Sequence, residues 1–172
     1  IFLGEDIQAQ PGTFALVPQV ADAVKVPVIA AGGISDARGV AAALMLGAAA
    51  AQIGTAYLLC PEAKTGAVHR AALKSARDDR TVLTNLFTGR PARGVINRFM
   101  REVGPIGADA PEFPLATSAV SPIRAKAEAQ GSGDFSPLWA GQAASLAREM
   151  PAGELTRKLA REAQERLRAM GR

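Results

Sequence analysis

Two short glycine-bearing segments hold the residues best suited to chemistry in this sequence. They are Gly32-Gly33 and, nineteen residues after Gly33, Gln52-Ile53-Gly54-Thr55. A phosphate dianion needs several N–H donors aimed at one point, and main-chain amides at turns and helix N-termini supply them. Glycine lets the backbone approach such a group closely and take positive φ. Thr55 adds a hydroxyl and Gln52 a side-chain amide that can reach other parts of a bound molecule. Either segment alone reads as a tight turn; as a spaced pair they read as a phosphate site. Four further features are of types that could do chemistry. His69 is the single histidine and lies in Ala67-Val68-His69-Arg70-Ala71, where a surface or core-edge role outweighs that of a base. Cys60 follows Tyr57-Leu58-Leu59 and reads as inert packing. Arg90, Arg93, Arg98 and Arg101 offer an anion-binding group, against the plainer reading of a solvated face with one loop-pinning ion pair. Trp139 stands evenly between a cover over a bound ring and a core anchor.

The elements around these residues follow from periodicity. Residues 1–12 carry Gly4, Pro11 and Gly12 and read as loop. Thr13 is the expected N-cap of a helix over 14–24, with Leu16, Val17, Val20, Ala21 and Val24 on one face and Pro18 as the local objection. Residues 26–31 form a short apolar run, the pattern of a strand buried on both faces of a parallel sheet. Ser35 is the expected cap of a helix over 36–46, with Asp36 in its first turn and Gly47 as its stop. Residues 49–54 are a second buried strand, and Pro61-Glu62 opens a helix reaching Ala76. The stretch 13–76 is therefore consecutive βα construction. Beyond residue 80 the pattern weakens: 81–86 reads as extended, 89–94 as a loop, 95–102 as a turn or two of helix and 104–114 as a connector. Helices are expected from Ser121-Pro122 to about 130 and over 138–148, and a clear amphipathic helix runs from Pro151 to Met170.

The 172 residues suffice for a sizeable core, and 48% hydrophobic with 21% charged residues is ordinary for a globular protein. A net charge of +4 is spread among interleaved acidic residues without an aromatic platform, which argues against nucleic acid. One cysteine excludes an intramolecular disulfide and a CxxC metal site. No apolar run is long enough for a membrane span, and the first residues lack the pattern of a signal peptide, so a cytoplasmic location and no membrane partner are expected. Two core strands cannot close a barrel or form a stable open sheet, so the chain is expected to be incomplete as a catalytic unit. The fold class expected is α/β. It is the C-terminal part of a (β/α)8 barrel, whose last strands end in a phosphate site, followed by a mostly helical region. On this reading residues 1–80 are the barrel βα units and 81–172 the helical extension, with the terminal helix packed on the barrel or on a second subunit, as in a homodimer.

The run Val26 to Ile34 with Asp36, Arg38-Gly39, Leu46-Gly47-Ala48 and Gln52-Ile53-Gly54-Thr55 resembles the FMN-phosphate region of nitronate monooxygenases, formerly 2-nitropropane dioxygenases. Residues 88–94 (Thr-Gly-Arg-Pro-Ala-Arg-Gly) and Leu138-Trp139-Ala140-Gly141-Gln142 resemble the same family, and the likeness extends over nearly the whole chain. The glycine pair alone is shared with other flavin barrels, including FMN-type enoyl-acyl-carrier-protein reductases. The resemblance implies FMN as cofactor, contacted by Gly32, Gly33, Gln52, Ile53, Gly54 and Thr55. It implies oxidation of alkyl nitronates, as small-molecule substrates, with dioxygen to carbonyl compounds and nitrite. The family's catalytic histidine lies in a Gly-Gly-His motif that does not occur here, so no catalytic residue is assigned and the chain alone is expected to be inactive. The alternatives are an FMN-dependent enoyl-thioester or NAD(P)H:quinone reductase on the same barrel, or a non-catalytic phosphate-binding half-barrel.

Overall fold

In the computed structural model, residues 6–171 are described, so the first five residues of the loop expected over 1–12, with Gly4, lie outside the described residues. The chain divides into two compact units. One comprises Pro11–Lys64 with Leu146–Arg172; the other is built mainly from Thr65–Ser145.

In the first unit, α1 (Thr13–Ala23) places Val17 in the core and runs through Pro18 without ending. Its N-cap is Gly12, not Thr13, because the Thr13 hydroxyl is turned to the carbonyl of Ala31 at 3.4 Å. The strands β1 (Ile29–Ala31) and β2 (Ala50–Gln52) pair in parallel, with Ile29 opposite Ala50 and Ala31 opposite Gln52. Between them runs α2 (Ala37–Met45). Its cap is Asp36 rather than the expected Ser35: the Asp36 carboxylate accepts from the amides of Arg38 and Gly39. Gly47 ends the helix with φ +95°, a value that glycine adopts without a Cβ penalty. Val17, Ala30, Ile34, Ala43 and Ala48 form the core, with Val40, Leu46, Ala51 and Ile53 against it.

The strands were expected to be buried on both faces and are not. Ala30 is 2% exposed, whereas Ile29 is 61% exposed, and Ala31, Ala50 and Gln52 are exposed as well. Side chains alternate across a strand, and the helices cover only the face that Ala30 shares. The expected helix from Pro61 to Ala76 is also interrupted. Pro61–Ala63 is a separate 3₁₀ turn, Lys64 takes φ +53°, and α3 (Ala67–Ser75) starts afresh after Gly66. The terminal helix α6 (Ala152–Met170) buries Leu155, Leu159 and Ala163, as its periodicity requires.

In the second unit, β3 (Thr81–Thr84) and β4 (Ala92–Val95) form an antiparallel ladder, so part of the expected loop at 89–94 is strand. Gly94 explains why: a Cβ there would lie 3.1 Å from the Leu138 carbonyl oxygen, and Gly94 bridges to Trp139. Of the helix expected over 138–148 only a 3₁₀ turn forms, Ala144–Leu146, because Leu138–Ala140 runs alongside β4. α4 (Arg98–Val103) is capped by Asn97. α5 (Leu115–Ala129) starts six residues before Ser121 and contains Pro122. Leu86, Phe87, Met100 and Val120 form the core, joined by Val82, Phe99, Ala110 and Trp139. No described helix is long and apolar enough to cross a membrane.

Candidate functional site

Parallel pairing brings the two glycine segments together. With Ala31 beside Gln52, the chain leaves β1 through Gly32-Gly33 and β2 through Ile53-Gly54 at the same end of the ladder. Gly32 and Gly33 have φ of +102° and +72°, values that strain any residue with a Cβ. A Cβ on Gly33 or Gly54 would meet nothing within 4 Å, so both glycines border open space. Gly54 has φ −100° and needs no special conformation; its contribution is the room it leaves. Gln52 is exposed, while Ile53 packs on the core and has only its backbone to present at the site. Thr55 opens a 3₁₀ turn, Thr55–Leu59, in which the Tyr57 amide donates to Gly54 O at 3.0 Å.

The electrostatics of α2 narrow the donor set. Asp36 Oδ1 accepts from the Arg38 amide at 2.9 Å and from the Gly39 amide at 3.4 Å. The Arg38 guanidinium donates to Oδ2 at 2.9 Å from Nε, and chiefly this bond holds the Asp36 carboxyl below its usual range. Burial opposes that shift, and the two backbone donors add to it. The positive end of this helix thus already faces a carboxylate. An anion at the glycine turns would draw its donors from the turn amides themselves, from Thr55 and from Gln52.

The remaining candidates take structural positions. His69 sits on α3, half-buried, with Nε2 2.9 Å from the Trp139 carbonyl oxygen. A carbonyl only accepts, so Nε2 carries the proton in this contact. Trp139 itself stands edge-on to Phe87, with ring centroids 5.8 Å apart, as part of the core cluster. Cys60 is 1% exposed, in keeping with packing. The four arginines take separate positions. Arg93 donates to Thr81 O at 3.1 Å, Arg98 pairs with Glu102 at 2.7 Å, Arg90 lies over the Phe113 ring and Arg101 is exposed on α4. No group of three or more His, Cys, Asp or Glu that could hold a metal occurs among the described residues.

Sequence reasoning missed Asn97, Tyr57 and Glu62. Asn97 had a local signal, an amide side chain three residues before the buried Met100 whose amide it caps at 3.2 Å. Tyr57 and Glu62 had none, since their partners Thr156 and Ala152 lie 99 and 90 residues away.

The family profile described as nitronate monooxygenase matches residues 3–162. A nitronate monooxygenase of Pseudomonas aeruginosa is 47% identical over 163 residues, covering 94% of this chain and 46% of that protein. Among solved structures, nitroalkane oxidase from Streptomyces ansochromogenes superposes with TM-score 0.84 at 44% identity, covering 92% of this chain and 45% of its own. FabK from Thermotoga maritima superposes with TM-score 0.74 at 30% identity, covering 94% of this chain and 52% of its own. The chain therefore spans about half the length of the proteins it matches. Its fold is α/β, the C-terminal part of a (β/α)8 barrel with two core strands, followed by a mostly helical region.

Proposed function

Because this chain belongs to the nitronate monooxygenase family, we propose that it supplies the FMN-phosphate anchor of a nitronate-oxidising enzyme. One observation carries the reading. Two glycine turns emerge side by side from parallel strands, with positive φ at Gly32 and Gly33 and open space at Gly33 and Gly54. The donor types fit a phosphate: both turns offer main-chain amides where the ladder ends, and Thr55 and Gln52 add polar side chains. Gly32, Gly33, Gln52, Ile53, Gly54 and Thr55 would hold the cofactor, Ile53 through its backbone. FMN, when bound, supplies the redox chemistry between an alkyl nitronate and dioxygen that yields a carbonyl compound and nitrite. This chain's own part is to bind and orient. It carries no Gly-Gly-His motif, and its one histidine bonds to the Trp139 carbonyl, so no catalytic residue is assigned in this chain. We assign residues 1–80 to the barrel sequence and 81–172 to a mostly helical extension of it, in a cytoplasmic enzyme that self-associates as a homodimer.

The test is the visible absorption spectrum of the purified chain after FMN is added and excess removed. Retained flavin absorbance is expected, and Gly33→Asp should weaken binding by about a hundredfold, because it sets a carboxylate against the phosphate on a strained backbone. A colourless wild-type chain, or an undiminished Gly33→Asp spectrum, overturns the assignment. In a protein that also carries the histidine motif, oxygen uptake driven by nitronate without NAD(P)H separates this reading from a flavin-dependent reductase.

A further inference from the structure

Both glycine turns continue into segments tied to one element, the C-terminal helix α6. On the Gly32-Gly33 side, Ala37 and Ala41 of α2 are buried with Ala163 of α6, and Val40 and Leu167 pack against them. Such small side chains let two helices approach closely and leave little slack. On the Gly54 side, the Tyr57 hydroxyl lies 2.7 Å from Thr156 Oγ1. The Thr156 hydroxyl spends its proton on Ala152 O at 2.8 Å, so Tyr57 is the donor to it. Further along the same segment, Glu62 Oε1 accepts from the Ala152 amide at 3.0 Å. That bond supplies the N-terminal cap that Pro151 has no side chain to give, with a carboxylate at the positive end of the α6 dipole.

We propose that α6 is the positioning element of the phosphate cup. Tyr57, Thr156 and Glu62 hold the Thr55–Ala63 segment against the same helix on which α2 is packed. The three residues act through the turns, setting the spacing between the Gly33 and Gly54 amides, and do not themselves contact the ligand. The inference rests on the FMN reading for its ligand but not for its mechanics.

The experiment compares Tyr57→Phe, Thr156→Val and their double variant with the wild-type chain, and adds Thr156→Ser, which keeps the hydroxyl. FMN affinity is measured by flavin fluorescence titration, and amide exchange of residues 54–60 is measured in flavin-free protein. Each single loss should weaken FMN binding about fivefold, the scale of one hydrogen bond. The double variant should be no weaker than either single one, because the two break the same bond. Thr156→Ser should match the wild type. Exchange at residues 54–60 should rise in the weakened variants while global melting stays in place. Unchanged affinity and exchange would overturn the proposal, as would an affinity loss that follows the melting temperature without faster exchange at the turn. If the wild-type chain binds no FMN, the phosphate reading fails on its own, and the exchange data still decide whether α6 braces the turns.

Discussion

The two units solve the problem of holding a loop in different ways. In the βα unit the loops follow from regular elements: β1 and β2 pair, α2 returns over them, and the turns lie where the strands end. In the Thr65–Ser145 unit the loops are held by side chains that reach distant backbone. Asn85 exchanges two bonds with Gly107, donating to its carbonyl at 2.9 Å and accepting from its amide at 3.0 Å. Thr117 donates to Phe87 O at 2.8 Å. Asn97 caps α4 and also donates to Gly133 O at 3.1 Å and Ser136 O at 2.9 Å. Ser136 in turn donates to Glu128 at 2.6 Å, which with Arg124 holds that carboxyl below its usual range. The lesson is that the glycine turns at the strand ends are left open, whereas the segment that follows Gly54 is held, like the loops of the other unit, by side chains that reach distant groups.

A matched pair of glycines gives the largest contrast. Gly33 and Gly89 both have positive φ, yet a Cβ at Gly89 would lie 2.4 Å from Phe113 N and 2.5 Å from Pro111 O, while one at Gly33 meets nothing. Gly89→Ala should therefore cost about 3 kcal/mol or more, from clash added to strain, against about 1 kcal/mol for Gly33→Ala. Denaturant unfolding of the two variants checks this, and equal losses would erase the distinction between the units.

Next in size is Asn97→Ala, which removes a helix cap and two donors to backbone carbonyls around a buried side chain. A loss of about 2–3 kcal/mol is expected. Asn97→Asp keeps the cap but not the donors and should recover less than half of it. Hydrogen exchange should show the damage at residues 97–103 and 131–140, with the amides of α2 unaffected.

The smallest effect belongs to Asp36. Asp36→Ala should cost about 1 kcal/mol at neutral pH as α2 loses its cap. Because the folded carboxyl titrates below its ordinary value of 3.8, its stabilisation is present in full above that value and is lost as pH falls through the lower folded one. The wild-type and Asp36→Ala unfolding curves should therefore converge on acidification below about pH 3.8. A gap that persists there would assign the effect to something other than the ionised cap.

Much of the βα unit was legible from residue types. The apolar runs at 26–31 and 49–54, the punctuating glycines and the 3.6-residue stripe of α6 rest on short-range rules, and each element formed near its expected place. Besides the exposed strand faces and the break in the helix expected from Pro61, the details that failed were choices between neighbours. Asp36 capped α2 in place of Ser35, and Gly12 capped α1 because Thr13 had a partner at Ala31. In the other unit the extended path of residues 138–140 was illegible, since it depends on a bridge from Trp139 to Gly94, more than forty residues away.

The candidate site divides in the same way. The sequence named Gly32, Gly33, Gln52, Gly54 and Thr55 through a spaced pair of glycine segments at strand ends, and Ile53 only through the family resemblance. That Ala31 stands beside Gln52, so that both turns leave the ladder together, was decided by parallel register. That Tyr57 and Glu62 are fastened to α6 was decided by packing across about ninety residues or more. Local composition sets which backbone shapes a segment can adopt. Only burial of the shared core chooses which of them meet, because that energy does not exist until distant elements are in contact.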